Sequence, residues 1–232
     1  MKDVKASILV VEDDAALLGG LLDVLVFNGY DARGVEDGGQ GLSQGLEGQF
    51  DLIILDVMLP TLDGFSICGE IRKKKPGQGI IIITAKGAED DIVTGFKAGA
   101  DDYITKPFSL REVMVRVEAV LRRSGKSLGD EKVDCMGILF DGKNLKAQGG
   151  NQSVELTRRE MDIIIYLFRN QDRIVSKKEL LTEVWHYADA DIETRTIDIH
   201  MLKLRKKITV LIGDRPLIET IRGEGYRLLP EK

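Results

Sequence analysis

The sequence predicts an α/β fold for its first half, a doubly wound five-stranded parallel sheet, followed by a second domain of the α+β class. Up to residue 123, short β-rich runs alternate with helix-length segments. The run Leu52–Leu55 is apolar throughout, and such a strand needs helices on both faces of its sheet. Beyond residue 131 the pattern changes to hairpin signals and then to amphipathic helices. A chain of 232 residues is long enough for two domains, each with its own core.

The first half contains five predicted strand–helix units. The strands are expected at Ile8–Val11, Asp31–Val35, Leu52–Leu55, Ile80–Thr84 and Tyr103–Thr105. The first helix is predicted over Ala15–Phe27, because Asn28 and Gly29 form a helix C-cap signal. In such a fold, ligands bind beyond the carboxyl ends of the strands, near the point where the strand order reverses.

A break in composition separates the two halves. Residues 122–131 are small, polar and poor in apolar side chains, which is typical of a linker. We therefore predict domains at residues 1–123 and 132–232, joined by a linker at residues 124–131. The halves also differ in charge, since residues 1–123 carry a net charge of −6 and residues 124–232 a net charge of +1.

The composition also indicates the cellular compartment in which the protein is expected. The longest apolar runs are too short to cross a bilayer, and the first residues lack a signal-peptide pattern, so no membrane association is expected. Cys68 and Cys135 have neither the spacing of a disulfide framework nor that of a zinc site. The expected location is the reducing cytoplasm.

Polar side chains follow the predicted parallel strands. Glu12, Asp13 and Asp14 come after the first strand, Asp56 after the third, Thr84 ends the fourth, and Lys106 follows the fifth. Carboxylates that crowd together repel one another unless a cation lies among them, and oxygen ligands of this kind suit Mg²⁺. A metal site, an ammonium group, a hydroxyl group and a spare carboxylate are the parts needed to transfer a phosphoryl group onto an aspartate.

Each of these residues also has an ordinary structural explanation. Asp13 or Asp14 would cap the next helix, Asp56 would belong to a turn, Thr84 is a β-former, and Lys106 would be a solvated strand end. It is their joint occurrence at successive strand ends that predicts a site.

The strings around these residues resemble the receiver domains of response regulators, over residues 5–123. They are ILVVEDD at residues 8–14, DLIILDVMLP at residues 51–60 with Asp63-Gly64, and GADDYITKPF at residues 99–108. The resemblance implies a flavodoxin-like fold in which Asp56 is the phosphoacceptor. It also implies Mg²⁺ ligands at Asp13, Asp56 and the Met58 carbonyl, with Glu12 acting through water. Lys106, before a cis peptide bond to Pro107, and Thr84 would contact the phosphoryl group, and Tyr103 would be an aromatic switch.

The second half begins with hairpin signals between Cys135 and Val154 and continues with helices. Capping-box patterns start helices at Thr157–Glu160 and Ser176–Glu179. In a third helix, Ile197, Met201, Leu204 and Ile208 share one stripe that is expected to face the core.

The rest of this third helix is basic, since residues 195–207 hold five basic side chains and one acidic side chain, Asp198. Such a face is either a solvated charged surface or a surface that binds phosphates and reaches base edges in a major groove. Two apolar residues, Ile199 and Leu202, also point away from the core. They would either contact thymine methyl groups or pack against a neighbouring element or partner.

This half resembles the winged helix-turn-helix domain of the OmpR/PhoB class of regulators over residues 132–232, with matching strings that include RTIDIH at residues 195–200 and IRGEGYR at residues 221–227. The resemblance implies a wing with Gly223 and Gly225 in its hairpin, and a buried Trp185. Leu202 replaces a residue that is often basic in this class. The implied contacts to double-stranded DNA are Arg195, Thr196, Ile199, His200, Leu202, Lys203, Arg205, Lys206, Thr220 and Arg222.

By the same resemblance, the phosphorylated receiver forms a homodimer through its fifth strand and the helices before and after it. The candidate residues are Asp101, Asp102, Glu112, Arg116 and Arg122; Glu112 and Arg116 are also spaced to pair within one helix. The predicted protein is a transcription factor and not an enzyme, although its receiver would lose the phosphoryl group slowly. Its partners would be a cognate sensor histidine kinase, double-stranded DNA and RNA polymerase.

Two other functions are compatible with parts of the sequence. A phosphatase with an aspartyl-phosphate intermediate would need a second Asp two residues after Asp56, where this chain has Met58. A regulator that binds DNA without phosphorylation would use the receiver only for dimerisation. This second alternative is disfavoured because the chain keeps the residues that phosphorylation would need, namely Glu12, Asp13, Thr84 and Lys106.

Overall fold

The computed structural model describes residues 4–85, 98–121, 131–187 and 195–229. The chain divides into two compact units, Met1–Leu121 and Arg122–Lys232, which are described separately. Apart from Glu131, the predicted linker at residues 124–131 lies outside the described residues. The limits of the two domains and the linker therefore stay a prediction.

The first unit contains a five-stranded, all-parallel sheet in the order β2-β1-β3-β4-β5. The strands are β1 (Ser7–Val11), β2 (Asp31–Val35), β3 (Leu52–Asp56), β4 (Gly79–Ala85) and β5 (Asp102–Lys106). All five predicted strands are confirmed, and the second has the predicted limits. Every residue of β3 is buried, as expected for a strand that is covered on both faces.

The described helices of this unit are α1 (Ala15–Phe27), α2 (Gly38–Glu47), α3 (Gly64–Lys74) and α4 (Leu110–Leu121). The helix predicted between β4 and β5 lies largely outside the described residues. Apolar side chains of α1 and α4 share one core cluster with alternate residues of the sheet, which places these two helices on the same face. Helices α2 and α3 contact each other, and α2 also contacts β1. The predicted doubly wound α/β fold is therefore confirmed.

The second unit has two antiparallel sheets. The predicted hairpin region forms four strands, β6 (Lys132–Cys135), β7 (Ile138–Asp141), β8 (Lys146–Gly149) and β9 (Gln152–Glu155). Within the described residues, three helices follow, α5 (Arg158–Arg169), α6 (Lys177–Glu183) and α7 (Arg195–Ile212). A three-stranded sheet in the order β10-β12-β11 completes the unit, from β10 (Val175–Ser176), β11 (Ile218–Ile221) and β12 (Gly225–Leu228).

One predicted capping box is complete and the other is half formed. At α5, the Glu160 amide donates to Thr157 Oγ1 at 3.2 Å, and the Thr157 amide donates to Glu160 Oε2 at 2.7 Å. At α6, Ser176 Oγ accepts from the Glu179 amide at 3.0 Å. The Glu179 carboxylate instead accepts from Tyr166 and Arg173, so a tertiary contact has replaced the local one.

No helix in the described parts of the chain combines the length and the apolar character that crossing a membrane requires.

Candidate functional site

The predicted acidic residues meet at the carboxyl ends of β1 and β3. One carboxylate oxygen each from Glu12, Asp13 and Asp56 lies within 4.8 Å of the others. Strands β1 and β3 are neighbours where the strand order reverses, which is the position where a doubly wound sheet leaves a crevice. The cluster is therefore placed by the topology of the sheet.

Lys106, at the end of β5, lies between two of these carboxylates. Its Nζ atom is 2.9 Å from Asp56 Oδ1 and 2.9 Å from Glu12 Oε2. The Met58 amide donates to Asp56 Oδ2 at 3.0 Å. The predicted cis peptide bond between Lys106 and Pro107 is present. Both oxygens of the Asp56 carboxylate thus have a donor that holds their orientation.

The cluster combines burial with excess negative charge. Glu12 is 1% and Asp56 4% exposed, whereas Asp13 is exposed. Burial raises the pKa of Glu12, and the nearby Asp56 charge adds to this effect, which the Lys106 hydrogen bond only partly offsets. Burial alone would lower the pKa of Lys106, but its bonds to Asp56 and Glu12 raise it. Three carboxylates and one ammonium leave two negative charges, which a divalent cation would neutralise.

Asp14 and Gly64 determine how the helices start around the site. Asp14 Oδ1 accepts from the amides of Ala16 and Leu17 at 2.9 Å, so Asp14 caps α1 while Asp13 belongs to the cluster. A Cβ atom on Gly64 would lie 2.0 Å from the Asp56 carbonyl oxygen. Gly64 therefore allows α3 to begin beside Asp56. In the sequence this residue is only part of the receiver motif, and the close approach became evident from the structure.

The two predicted switch residues are both buried. Thr84, near the end of β4, is largely inaccessible, and the side chain of Tyr103 lies inside the protein. Burial raises the pKa of Tyr103 well above its usual value, so the phenol keeps its proton at neutral pH. The Met58 side chain is exposed, and its predicted role concerns only the backbone carbonyl.

Three residues of the predicted dimer interface are buried and form ion pairs within one chain, and the interface itself stays a prediction. Asp101 Oδ2 is 3.3 Å from Arg72 Nη2, and Asp102 Oδ1 is 3.0 Å from Arg116 Nη1. Asp101, Asp102 and Arg116 therefore present little surface to a partner. Glu112 is half-buried and pairs with Arg116 at 2.9 Å, the helix-internal alternative. Arg122 lies outside the described residues.

Helix α7 has the predicted core stripe and a mixed outer face. Ile197, Met201, Leu204 and Ile208 are all buried. On the other side, Leu202 and Lys206 are exposed and Ile199 is half-buried. Asp198, near the start of the helix, makes two tertiary contacts. Its Oδ1 atom is 2.6 Å from Lys177 Nζ and accepts a hydrogen bond from the Tyr226 hydroxyl. These contacts join α6, α7 and β12 into one structure.

Two of the predicted DNA contacts are buried. Thr196 and His200 have little exposed surface, and the His200 ring lies 5.2 Å from that of Trp185 in an edge-to-face arrangement. Trp185 is in the core, as predicted. Because buried side chains offer little surface to a duplex, the burial of Thr196 and His200 does not favour direct contacts of these two side chains with DNA.

Several basic side chains predicted to contact DNA make contacts within the second unit instead. Arg205 Nη2 donates to Thr220 Oγ1 at 2.7 Å and to the Ile218 carbonyl at 3.0 Å, so both predicted residues join α7 to β11. The Nζ atom of Lys203 is buried. Arg195 begins α7, but its side chain lies outside the described residues. Lys206 and Arg222 remain as exposed basic side chains.

The wing is the hairpin of β11 and β12, with exposed Arg222 and Gly223 at its turn. Gly223 has φ of +79°, as the tight turn requires. A Cβ atom on Gly225 would lie 2.1 Å from the Val175 carbonyl oxygen. Gly225 therefore allows β10 to pair closely with β12 and connects the wing to the helices.

Known proteins resemble this chain in both units. Residues 8–118 match the family described as the response regulator receiver domain, and residues 151–228 match the family described as the C-terminal domain of transcriptional regulatory proteins. The response regulator ArlR of Staphylococcus saprophyticus is 38% identical over 219 residues, which cover 94% of this chain and 97% of ArlR. ArlR of Staphylococcus aureus shows the same identity and coverage.

Solved structures agree with these sequence matches. A mutant of RitR has a TM-score of 0.77 at 26% identity, and the match covers 97% of this chain and 99% of RitR. DrrB of Thermotoga maritima, described as an OmpR/PhoB homologue, has a TM-score of 0.51 at 29% identity, with 96% and 98% covered. Together with the acidic cluster and the winged helix-turn-helix unit, these matches show that the chain belongs to the two-component response regulators of the OmpR/PhoB class, which join a receiver domain to a DNA-binding transcriptional regulatory domain.

Proposed function

We propose that a cognate sensor histidine kinase phosphorylates Asp56 and that the phosphorylated protein binds double-stranded DNA as a homodimer at tandem half-sites. The observation that carries the proposal is the environment of Asp56. Its carboxylate lies in an acidic cluster at the crevice of the sheet, with Lys106 Nζ 2.9 Å from Oδ1. This arrangement holds the acceptor in position and supplies a positive charge where phosphoryl oxygens would lie.

Mg²⁺ fits the donor set, because hard oxygen ligands and two uncompensated negative charges favour a divalent cation. Glu12, Asp13 and Asp56 would hold it, directly or through water, together with the Met58 carbonyl. When bound, the ion would neutralise charge on the transferring phosphoryl group. Lys106 would hold a phosphoryl oxygen, Thr84 would donate its hydroxyl to another, and the buried Tyr103 would follow any movement of Thr84. The phosphoryl group would leave by slow hydrolysis, without enzymatic turnover of a substrate.

Labelling with radioactive acetyl phosphate in the presence of Mg²⁺ tests the acceptor. The wild-type protein should take up label and Asp56→Ala should take up none, because its acceptor oxygen is gone. Asp23→Ala is a matched control, since Asp23 is an exposed carboxylate on α1 away from the strand ends, and it should label normally. Labelling of Asp56→Ala at the wild-type level would contradict the assignment.

Dimerisation would raise DNA affinity by placing two readers at a high effective concentration. Asp101, Asp102 and Arg116 are occupied inside one chain, so the dimer would have to use other side chains of that region. Sedimentation and DNA binding should be measured with and without acetyl phosphate, and with Asp56→Asn as the unphosphorylated control. Equal DNA affinity in all three samples would indicate the alternative, a regulator that binds DNA without phosphorylation.

We place this regulator in the cytoplasm, where the DNA-bound dimer would act on RNA polymerase.

The exposed cations Lys206 and Arg222 are the proposed phosphate contacts. Lys206→Ala should weaken binding to duplex DNA and reduce the slope of log affinity against log salt by about one, the contribution of a single phosphate contact. Lys143 is also an exposed lysine, in the β7–β8 turn, so Lys143→Ala should leave the slope unchanged. An unchanged slope in Lys206→Ala would remove this residue from the interface.

A further inference from the structure

Leu202 is an exposed apolar side chain on the outer face of α7, opposite the core stripe. It is 51% exposed, whereas Ile199, one turn earlier on the same side, is half-buried. Residues three and four positions apart are neighbours on a helix surface, so Leu202 lies between Ile199 on one side and Arg205 and Lys206 on the other. The isobutyl group therefore has cationic side chains on its C-terminal side, while Asp198, four residues before it, is already paired with Lys177 and Tyr226.

The core does not require a leucine at this position. The buried stripe of α7 is already filled by Ile197, Met201, Leu204 and Ile208. A single exposed leucine is common on protein surfaces and by itself indicates nothing. The positive charge of this unit is what identifies the occupant, because Lys206 beside Leu202 and Arg222 of the wing are exposed cations that would attract a polyanion and would disfavour a basic partner surface.

Resting on the DNA binding proposed above, we propose that Leu202 selects thymine. Its side chain would contact the C5-methyl group of a thymine in the major groove, the apolar feature by which that groove distinguishes this base. A leucine offers no hydrogen bond to the polar edges of the other bases and would leave them desolvated and unpaired. The recognition helix would therefore specify one thymine in each half-site by apolar contact, at a position where a basic residue would read guanine or phosphate.

The test uses the full-length phosphorylated protein and a random duplex pool, from which binding sites are selected and sequenced. Each thymine of the selected site is then replaced by deoxyuridine, which lacks only the methyl group. The wild type should lose about four-fold in affinity at one position per half-site, as expected for exposing one buried methyl group. Leu202→Ala should bind the thymine and uracil duplexes equally, while Val210→Ala, an equally exposed apolar residue of α7, should keep the wild-type preference.

The outcomes separate this inference from the function on which it depends. Wild-type binding that is indifferent to uracil at every position would overturn the thymine contact and leave DNA binding intact. Recovery of no bound duplex would overturn both. If Leu202→Ala keeps the uracil sensitivity and instead reduces self-association in sedimentation experiments, the side chain serves a protein interface and the inference is wrong.

Discussion

Replacing Lys106 by methionine would remove the cation between Glu12 and Asp56 at nearly constant side-chain volume. Both carboxylates are almost fully buried, and each lies 2.9 Å from the ammonium. Removing one partner of a buried ion pair costs about 3 to 5 kcal/mol, because the remaining charge stays desolvated without compensation. The Lys106 side chain is itself 30% exposed, so the lower end is expected, about 3 kcal/mol. For a domain of this size, that lowers the Tm by about 10 °C.

The pH dependence of this effect follows from Glu12. Its pKa is raised above 4.5 in the folded protein, mainly by burial, so the native state binds more protons than the unfolded state between 4.5 and the folded pKa. Stability from this group therefore falls as pH rises through that interval and is constant above it. Lys106→Met loses the interaction that lowers the Glu12 pKa, which extends the interval upward. The stability deficit of the variant should be greatest at neutral pH and should shrink as pH falls towards 4.5.

Urea unfolding of the full chain without Mg²⁺ measures the deficit. Trp185 is the only tryptophan and lies in the second unit, so its fluorescence follows that unit, while circular dichroism follows both. The receiver transition should move to lower urea and the fluorescence transition should not. Lys73→Met is the control, because its pair with Glu70 is largely exposed and contributes about 0 to 1 kcal/mol. Wild-type stability of Lys106→Met at neutral pH, or a deficit that grows on acidification, would refute the reasoning.

Three further substitutions test contacts that position the two sites. Gly64→Ala should destabilise the receiver by about 2 kcal/mol through overpacking against the Asp56 carbonyl, and acetyl phosphate labelling should fall with it; unaffected unfolding would contradict this. Arg205→Ala should weaken DNA binding at an unchanged salt slope, because its hydrogen bonds position the wing; a slope reduced by about one would make Arg205 a phosphate contact. Thr157→Ala should cost the second unit about 1 kcal/mol by loss of the α5 N-cap, seen as an earlier Trp185 fluorescence transition, and an unmoved midpoint would contradict the cap.

Patterns along the chain predicted much of the receiver. The uniformly apolar run at Leu52–Leu55 identified the central strand, and Asn28-Gly29 located the end of α1 to the residue. The order of polar residues after the strands led to the acidic cluster, because parallel strands bring their carboxyl ends to one edge. The sequence did not reveal why residue 64 is a glycine, since its close approach to the Asp56 carbonyl oxygen depends on how the chain packs.

The second unit shows where a helical pattern is insufficient. The core stripe of α7 was correct, but His200, on the flank of that stripe, is covered by Trp185, which precedes the helix in the chain. Angular position on a helix indicates the face that meets the core and does not determine how far neighbouring elements wrap around it. The same limit applies to Arg205, whose partner Thr220 lies fifteen residues away.

The order of the described elements, the limits of α1, the starts of α5 and α6 and the supply of charged residues were determined by the sequence alone, because they depend on neighbours a few positions apart. Which charges remain available for partners was decided only by the tertiary structure. Lys106 lies among carboxylates open to a crevice, whereas Asp102 and Arg116 neutralise each other inside the receiver. The physical reason is that the strength of a charge interaction depends on distance and burial, and both are set when segments far apart in the chain pack together.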